Sequence, residues 1–210
     1  MRIDLTSACT NPVYSVEEAK ISKIRPVFLD ADGVLWKDSG AGSIFGSSSI
    51  DSFTAQITLM RNIFPFSTFF IVSNQTCVAR GMYGEEALRT RIYTVLDAMT
   101  SLSLPIVFSY CPHHPNAQVL NYRRNCKSRK PNPEQISHLV KKFDLAVDES
   151  LLIGDRITDL EAAEKVGIRE KYLIGNNSAF EVNEGDDDFV WSQFVEFRLI
   201  SELHELARFT

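Results

Sequence analysis

The sequence predicts a doubly wound α/β fold on a parallel sheet, and three observations carry the prediction. Short, uniformly apolar runs recur along the chain, segments with helical periodicity lie between them, and three of the runs open directly into polar turns bearing Asp, Asn or Gly. A run without alternation suits a strand buried on both faces, as in a parallel sheet covered by helices on each side. Such a sheet collects functional groups at the carboxyl ends of its strands, where these polar turns fall.

In chain order, the first 25 residues carry no pattern that assigns an element. Val27-Phe28-Leu29 before Asp30 reads as the first strand. Residues 39–49 are rich in glycine and serine and read as a mobile flap, placed around 37–50. A helix over 50–62 follows, then a strand over 69–72 that runs into Ser73-Asn74-Gln75, a helix over 84–99 and a strand over 106–108. Residues 110–131 form a long loop with two cysteines, two histidines, five basic residues and no acidic one. A loop of that length inside a compact domain is usually functional. A helix over 133–143 comes next, with Pro133 at a first helical position and Ile136, Leu139, Val140 and Phe143 on one face. The strand 151–153 leads into Gly154-Asp155, a helix over 158–166 stops at Gly167, and 172–174 supplies a further strand. Nothing is left over for a large cap domain, so the 210 residues read as one Rossmann-like domain.

A chain that is 44% hydrophobic and 23% charged can bury a substantial core. Its net charge of -5 argues against a nucleic-acid-coating protein, and part of that charge sits in one run, Glu184-Gly185-Asp186-Asp187-Asp188, which reads as a solvated loop. The longest apolar stretch, 63–72, is broken by Pro65 and Ser67. It falls short of the ~20 residues a membrane helix needs. Met1-Arg2-Ile3-Asp4-Leu5 shows no secretory pattern, and four cysteines at 9, 77, 111 and 126 are too few for a disulfide framework. The expectation is a monomer of the reducing cytoplasm with neither a membrane nor a nucleic-acid partner.

Asp30-Ala31-Asp32-Gly33 sets two carboxylates two residues apart after a buried strand. One can face a substrate from the strand end while the other reaches the far side of the bond being broken. Alone, the string also suits a surface turn or a calcium loop. Three further elements accompany it: Ser73-Asn74-Gln75-Thr76, with a hydroxyl and amides; Arg129-Lys130-Pro131, a cationic pair before a helix; and Gly154-Asp155 followed by Thr158-Asp159, where an acid can hold a divalent cation.

In this order and at these spacings, over about residues 27–174, the four elements resemble the haloacid dehalogenase (HAD) superfamily of phosphotransferases. The resemblance implies a Mg²⁺-dependent phosphatase. In it Asp30 is the nucleophile that forms an aspartyl-phosphate, and Asp32 is the general acid and then the base for the hydrolytic water. Ser73 and Lys130 would bind the phosphoryl oxygens, Asn74, Gln75 and Arg129 would lie on the substrate side, and Asp155 would ligate magnesium with Asp30 and the main-chain carbonyl of Asp32, backed by Asp159. The chemistry asks for these types in any case. A carboxylate attacking a phosphate dianion needs a cation between them, the equatorial oxygens need a lysine and a hydroxyl, and a poor alkoxide leaving group needs a proton donor.

Finer similarity points to one branch. Ser73-Asn74-Gln75-Thr76 with Ala79-Arg80-Gly81, then Cys111-Pro112-His113-His114-Pro115, then Cys126 before Arg129-Lys130-Pro131, is similar to heptose bisphosphate phosphatases and the related histidinol-phosphate phosphatases. The implied substrate is a small phosphorylated sugar, D-glycero-D-manno-heptose 1,7-bisphosphate. A structural zinc held by three cysteines and one histidine is also implied. Cys111, His113 and Cys126 match three of those ligands, but Ser128 stands where the fourth, a cysteine, belongs, and a hydroxyl is a poor replacement for thiolate. The loop therefore either binds zinc with a reduced donor set, with His114 as a substitute ligand, or is held without metal by its prolines and hydrogen bonds. Arg80, Arg123, Arg124, Lys127 and Arg129 would form a basic collar suited to a second phosphate, with Arg123 and Arg124 also readable as solvated loop residues. Trp36 reads as a wall of the flap. Competing readings are a histidinol-phosphate phosphatase, a 3'-phosphatase of nucleic-acid ends, and a catalytically silent phosphosugar-binding protein; a mere binder has no need of both Asp30 and Asp32.

Overall fold

The computed structural model describes residues 2–4, 12–15, 21–36, 43–45, 49–101, 105–175 and 197–209. Their elements, in chain order, begin with β1 (Arg2–Asp4), β2 (Val13–Ser15), β3 (Val27–Leu29), α1 (Ser49–Ile63) and β4 (Phe69–Asn74). There follow α2 (Thr76–Ala79), α3 (Glu85–Ser101), β5 (Ile106–Cys111), α4 (Glu134–Phe143) and β6 (Leu151–Gly154). The chain then runs through α5 (Ile157–Val166), β7 (Glu170–Ile174) and β8 (Arg198–Ile200). Short 3-10 turns lie at Ser43–Phe45, Leu120–Tyr122 and Leu203–Arg208.

The strands form one sheet in the order β1-β2-β5-β4-β3-β6-β7-β8. The five apolar runs read from the sequence form its parallel centre, with β8 added in parallel beyond β7. The other edge adds two strands that the sequence did not assign, β1 and β2, which run antiparallel to their neighbours. At three residues each, these strands are too short for periodicity to expose them. β2 hydrogen-bonds across the otherwise open edge of β5.

Alternation along the strands divides the core into two layers. Val27 and Leu29 join Phe53, Ile57 and Met60 of α1 and Leu88, Ile92 and Val95 of α3 on one face. Phe28 and Phe70, their rings stacked 5.2 Å apart, join Ile136 and Leu139 of α4 and Leu160 of α5 on the other. Pro133 is the N-cap of α4, one position ahead of its expected place, and Gly167 is the C-cap of α5. β3 is central because chain order reverses there: β4 and β5 build outward on one side, β6 and β7 on the other. A crevice opens at the carboxyl ends around such a switch point.

The flap expectation at 37–50 is only partly addressed: 37–42 and 46–48 lie outside the described residues, as do Cys9 and the acidic run at 184–188. Within it, Ser43–Phe45 is a helical turn whose Ile44 is buried in the core, and α1 starts at Ser49. Among the described residues, no helix is long and apolar enough to cross a membrane.

Candidate active site

β3 ends where Asp30 donates its amide to Ile153 O of β6 at 2.9 Å, which fixes the aspartate between the two strands. The chain then turns through Ala31, Asp32 and Gly33, with Leu35 N–H returning to Ala31 O and Gly33 N–H to Trp36 O. Gly33 has φ +84, and a Cβ there would lie 2.2 Å from Asp155 Oδ2. Gly154 is equally constrained from the next strand, since a Cβ on it would meet Asp159 Cβ at 2.4 Å. Two glycines thus let two carboxylates press against main chain.

Asp30, Asp155 and Asp159 bring ligand oxygens within 4.8 Å of one another. The Lys130 ammonium, 2% exposed, sits among them and donates to Asp30 Oδ1 at 2.8 Å, Asp159 Oδ1 at 2.6 Å and Val72 O at 2.6 Å. Burial alone would push this amine down, but Asp159 and Asp30 outweigh it and hold the pKa well above the usual lysine range. Asp159 is spent on structure, because its second oxygen accepts the Arg156 N–H at 3.1 Å. Burial raises it to about 6 even with Lys130 opposing.

Asp155 is the uncompensated member. Its Oδ1 is buried with no hydrogen-bond partner, and burial, with Asp30 and Asp159 adding repulsion, raises its pKa to about 9. A buried acceptor pointing into a crowd of carboxylates is short of positive charge. A hard divalent cation with oxygen ligands suits this donor set, so Asp30 and Asp155 fit a magnesium site and Asp159 stands behind them on Lys130.

The motif at the end of β4 is used differently from the expectation that placed all its residues on the substrate side. Asn74 spends its amide on Lys130: its Nδ2 donates to Lys130 O at 3.0 Å and its Oδ1 accepts the Lys130 N–H at 3.1 Å, so it positions the lysine. Gln75, 3% exposed, donates to both Asp32 Oδ2 and Ser73 Oγ. Trp36, expected to be a flap wall, donates its indole N–H to Asp32 Oδ1 at 2.7 Å. Its spacing of four residues from Asp32 was the only sequence signal for that contact.

The collar expectation also changes. Arg129 is 8% exposed and donates to Thr76 Oγ1 at 2.9 Å and His113 O at 3.4 Å, tying the long loop to the start of α2. Arg123 and Arg124 donate to loop carbonyls of Ala117 and Asn121. Arg80 and Lys127 remain exposed at the surface.

In the loop, Cys111, His113 and Cys126 converge within 4.8 Å, with Cys111 Sγ 3.8 Å from His113 Nδ1. The Cys111 thiol donates to Cys126, holding Cys126 down at about 3 and pushing Cys111 well above its usual range. Ser128 is buried and contributes its main-chain N–H to the Cys126 sulfur. His114 is turned elsewhere, its Nδ1 accepting the Asn116 N–H, so it is no substitute ligand here.

A family model described as HAD-hydrolase-like matches residues 128–178. A D-glycero-beta-D-manno-heptose-1,7-bisphosphate 7-phosphatase from Rhodopseudomonas palustris is 34% identical over 143 residues, 67% of this chain and 78% of that protein. A D-glycero-alpha-D-manno-heptose-1,7-bisphosphate 7-phosphatase from Burkholderia mallei is 30% identical over 169 residues, 76% of this chain and 85% of that one. The crystal structure of D,D-heptose 1,7-bisphosphate phosphatase from B. bronchiseptica, complexed with magnesium and phosphate, shares the fold with a TM-score of 0.64 at 22% identity, covering 88% of this chain and 97% of that one. The chain belongs to the HAD superfamily of phosphatases, in the branch that holds the heptose-bisphosphate phosphatases.

Proposed function

We propose that the chain hydrolyses a phosphate monoester of a small phosphorylated sugar, a D-glycero-D-manno-heptose 1,7-bisphosphate, through an aspartyl-phosphate on Asp30. The observation that carries this reading is the buried Asp30–Lys130–Asp159 cluster beside Asp155, with Asp32 two residues from the nucleophile. Relatives acting on that sugar supply its chemical class.

Asp30 attacks phosphorus and the bond to the sugar oxygen breaks; Asp32, protonated, delivers a proton to that oxygen as it leaves. Asp32, now a carboxylate, takes a proton from water, which attacks the aspartyl-phosphate, releases inorganic phosphate and restores Asp30. Trp36 and Gln75 hold Asp32 from both oxygens, a geometry suited to the carboxylate that accepts this second proton. Lys130 shares its charge with the transferring group and Ser73 Oγ is set beside it by Gln75. Asp30, Asp155 and the main-chain carbonyl of Asp32 would hold magnesium, whose positive charge would ease the approach of the carboxylate to the phosphate dianion.

The long loop is read as a weak zinc site with three protein donors, Cys111, His113 and Cys126. The exposed Arg80 and Lys127 provide charge for the phosphate that is not transferred.

The test is phosphate release with and without Mg²⁺ across both anomers of the heptose bisphosphate, other sugar mono- and bisphosphates, histidinol phosphate and 3'-phosphorylated oligonucleotides. The reading requires Mg²⁺-dependent release that is fastest on a sugar bisphosphate. Release confined to oligonucleotides, or none at all, contradicts it.

A further inference from the structure

Asp32 accepts from Trp36 through Oδ1 and from Gln75 through Oδ2, and the same Gln75 nitrogen donates to Ser73 Oγ at 2.8 Å. An ionised carboxylate offers only lone pairs, so Gln75 has to present its NH₂ group to Asp32. Its Oε1 then faces away, and there the Tyr83 hydroxyl donates to it at 2.9 Å. Tyr83 lies in the turn between α2 and α3, with the Cys77 thiol beside its hydroxyl. The Tyr83 ring packs on Phe45 of the Ser43–Phe45 turn, with centroids 4.5 Å apart and planes inclined at 57°.

We propose that Tyr83 is a positioning residue for the proton transfers of Asp32: its hydroxyl sets the orientation of the Gln75 amide, and Gln75 in turn holds Asp32 and Ser73 in one geometry. The proposal rests on the reading of Asp32 as acid and base. Its physical basis is the softness of an amide's terminal torsion, which has broad wells and two nearly isosteric orientations. With Tyr83 donating to Oε1, only one orientation satisfies every partner. Without that donor, once Asp32 is protonated the amide can turn so that Oε1 accepts the proton meant for the leaving oxygen. Phe45 extends the chain of contacts: its seat on the tyrosine ring links the glycine- and serine-rich segment to the orientation of the acid.

Tyr83→Phe isolates the claim, since it keeps the ring and the Phe45 contact and removes only the hydroxyl. Two readouts are taken with Asp32→Asn as the reference. The first is independent of turnover: the NMR resonance of the Trp36 indole N–H, identified by its absence in Trp36→Phe, reports the hydrogen bond to Asp32. It should move in Tyr83→Phe in the direction set by Asp32→Asn. The second is steady-state kinetics on a sugar phosphate and on an aryl phosphate at saturating Mg²⁺. Misplacing the acid should lower kcat on the sugar phosphate about tenfold with KM nearly unchanged, and lower it far less on the aryl phosphate, which leaves without a proton. An indole resonance that stays in place overturns the proposal, as does an equal loss on both leaving groups. A parent protein inactive on every ester contradicts the proposed phosphatase reaction instead, and the indole resonance then still decides the positioning claim. Phe45→Ala, which removes the ring packed on Tyr83 from a site 42% exposed, should reproduce part of the resonance shift.

Discussion

Asp32 and Gly33 show how much of the chemistry is decided by single residues. Asp32 is held at both oxygens, so replacing it with Asn keeps the shape and removes the transferable proton. Asp32→Asn should lose about 10²–10⁴ in rate on alkyl phosphates and much less on aryl phosphates, and a uniform loss across a leaving-group series would count against the acid role. Gly33 is fixed by a different constraint. Its φ of +84 disfavours any side chain, and a Cβ would press into the Asp155 carboxylate at 2.2 Å. Gly33→Ala should therefore lower stability by about 1–3 kcal/mol. Magnesium affinity should fall about tenfold as Asp155 is displaced, and thermal melts combined with calorimetric Mg²⁺ titration check both. Unchanged affinity would remove Asp155 from the metal site.

At the scale of elements, the long loop is fastened to the sheet by Glu85 at the start of α3. Its carboxylate accepts from Tyr110 of β5, from Tyr122 in the loop and from Arg89 one turn along α3, at 2.9, 2.9 and 3.0 Å. Partial burial would raise this carboxyl, but these three donors outweigh it and hold the pKa below the usual glutamate range. A carboxyl lowered by folding contributes stability that is fully present above its unfolded value and lost as pH falls through the depressed one. Glu85→Gln should thus melt lower than the parent at neutral pH, with the difference shrinking on acidification below the ordinary carboxyl range. A difference constant with pH would refute the assignment. The same loop carries the sulfur-nitrogen cluster. With Ser128 offering only its main-chain N–H, zinc should be substoichiometric and readily removed by chelator, and Ser128→Cys should raise its retention. Full, chelator-resistant zinc in the parent measured by metal analysis would contradict the three-donor account.

Across the whole molecule, the central sheet and its helices were legible because uniform apolar runs and helical spacing reflect burial directly: Val27–Leu29, Phe69–Asn74 and Leu151–Gly154 all begin where the apolar runs begin. β1 and β2 were not, since three-residue antiparallel strands carry too few positions for a period. The carboxylates of the cluster were legible as residue types at strand ends. What the sequence could not display is how polar side chains divide their hydrogen bonds: Asn74 serving Lys130, Arg129 turning inward to Thr76, and Trp36, Gln75 and Tyr83 arranged around Asp32. The Asn74–Lys130, Arg129–Thr76 and Gln75–Asp32 contacts join residues 56, 53 and 43 positions apart, which no local pattern encodes. The nearer contacts of Trp36 and Tyr83 depend on where that long-range packing sets Asp32 and Gln75.

The most direct test of the central claim is to look for the phosphorylated nucleophile. Asp32→Asn, which lacks the base for the second step, is mixed with an aryl phosphate and Mg²⁺, quenched rapidly in acid and analysed by peptide mass spectrometry. The account predicts one added phosphoryl group on the peptide that carries Asp30, and its absence in Asp30→Asn. Turnover by the parent without any adduct on that peptide, or an adduct that survives in Asp30→Asn, would contradict it.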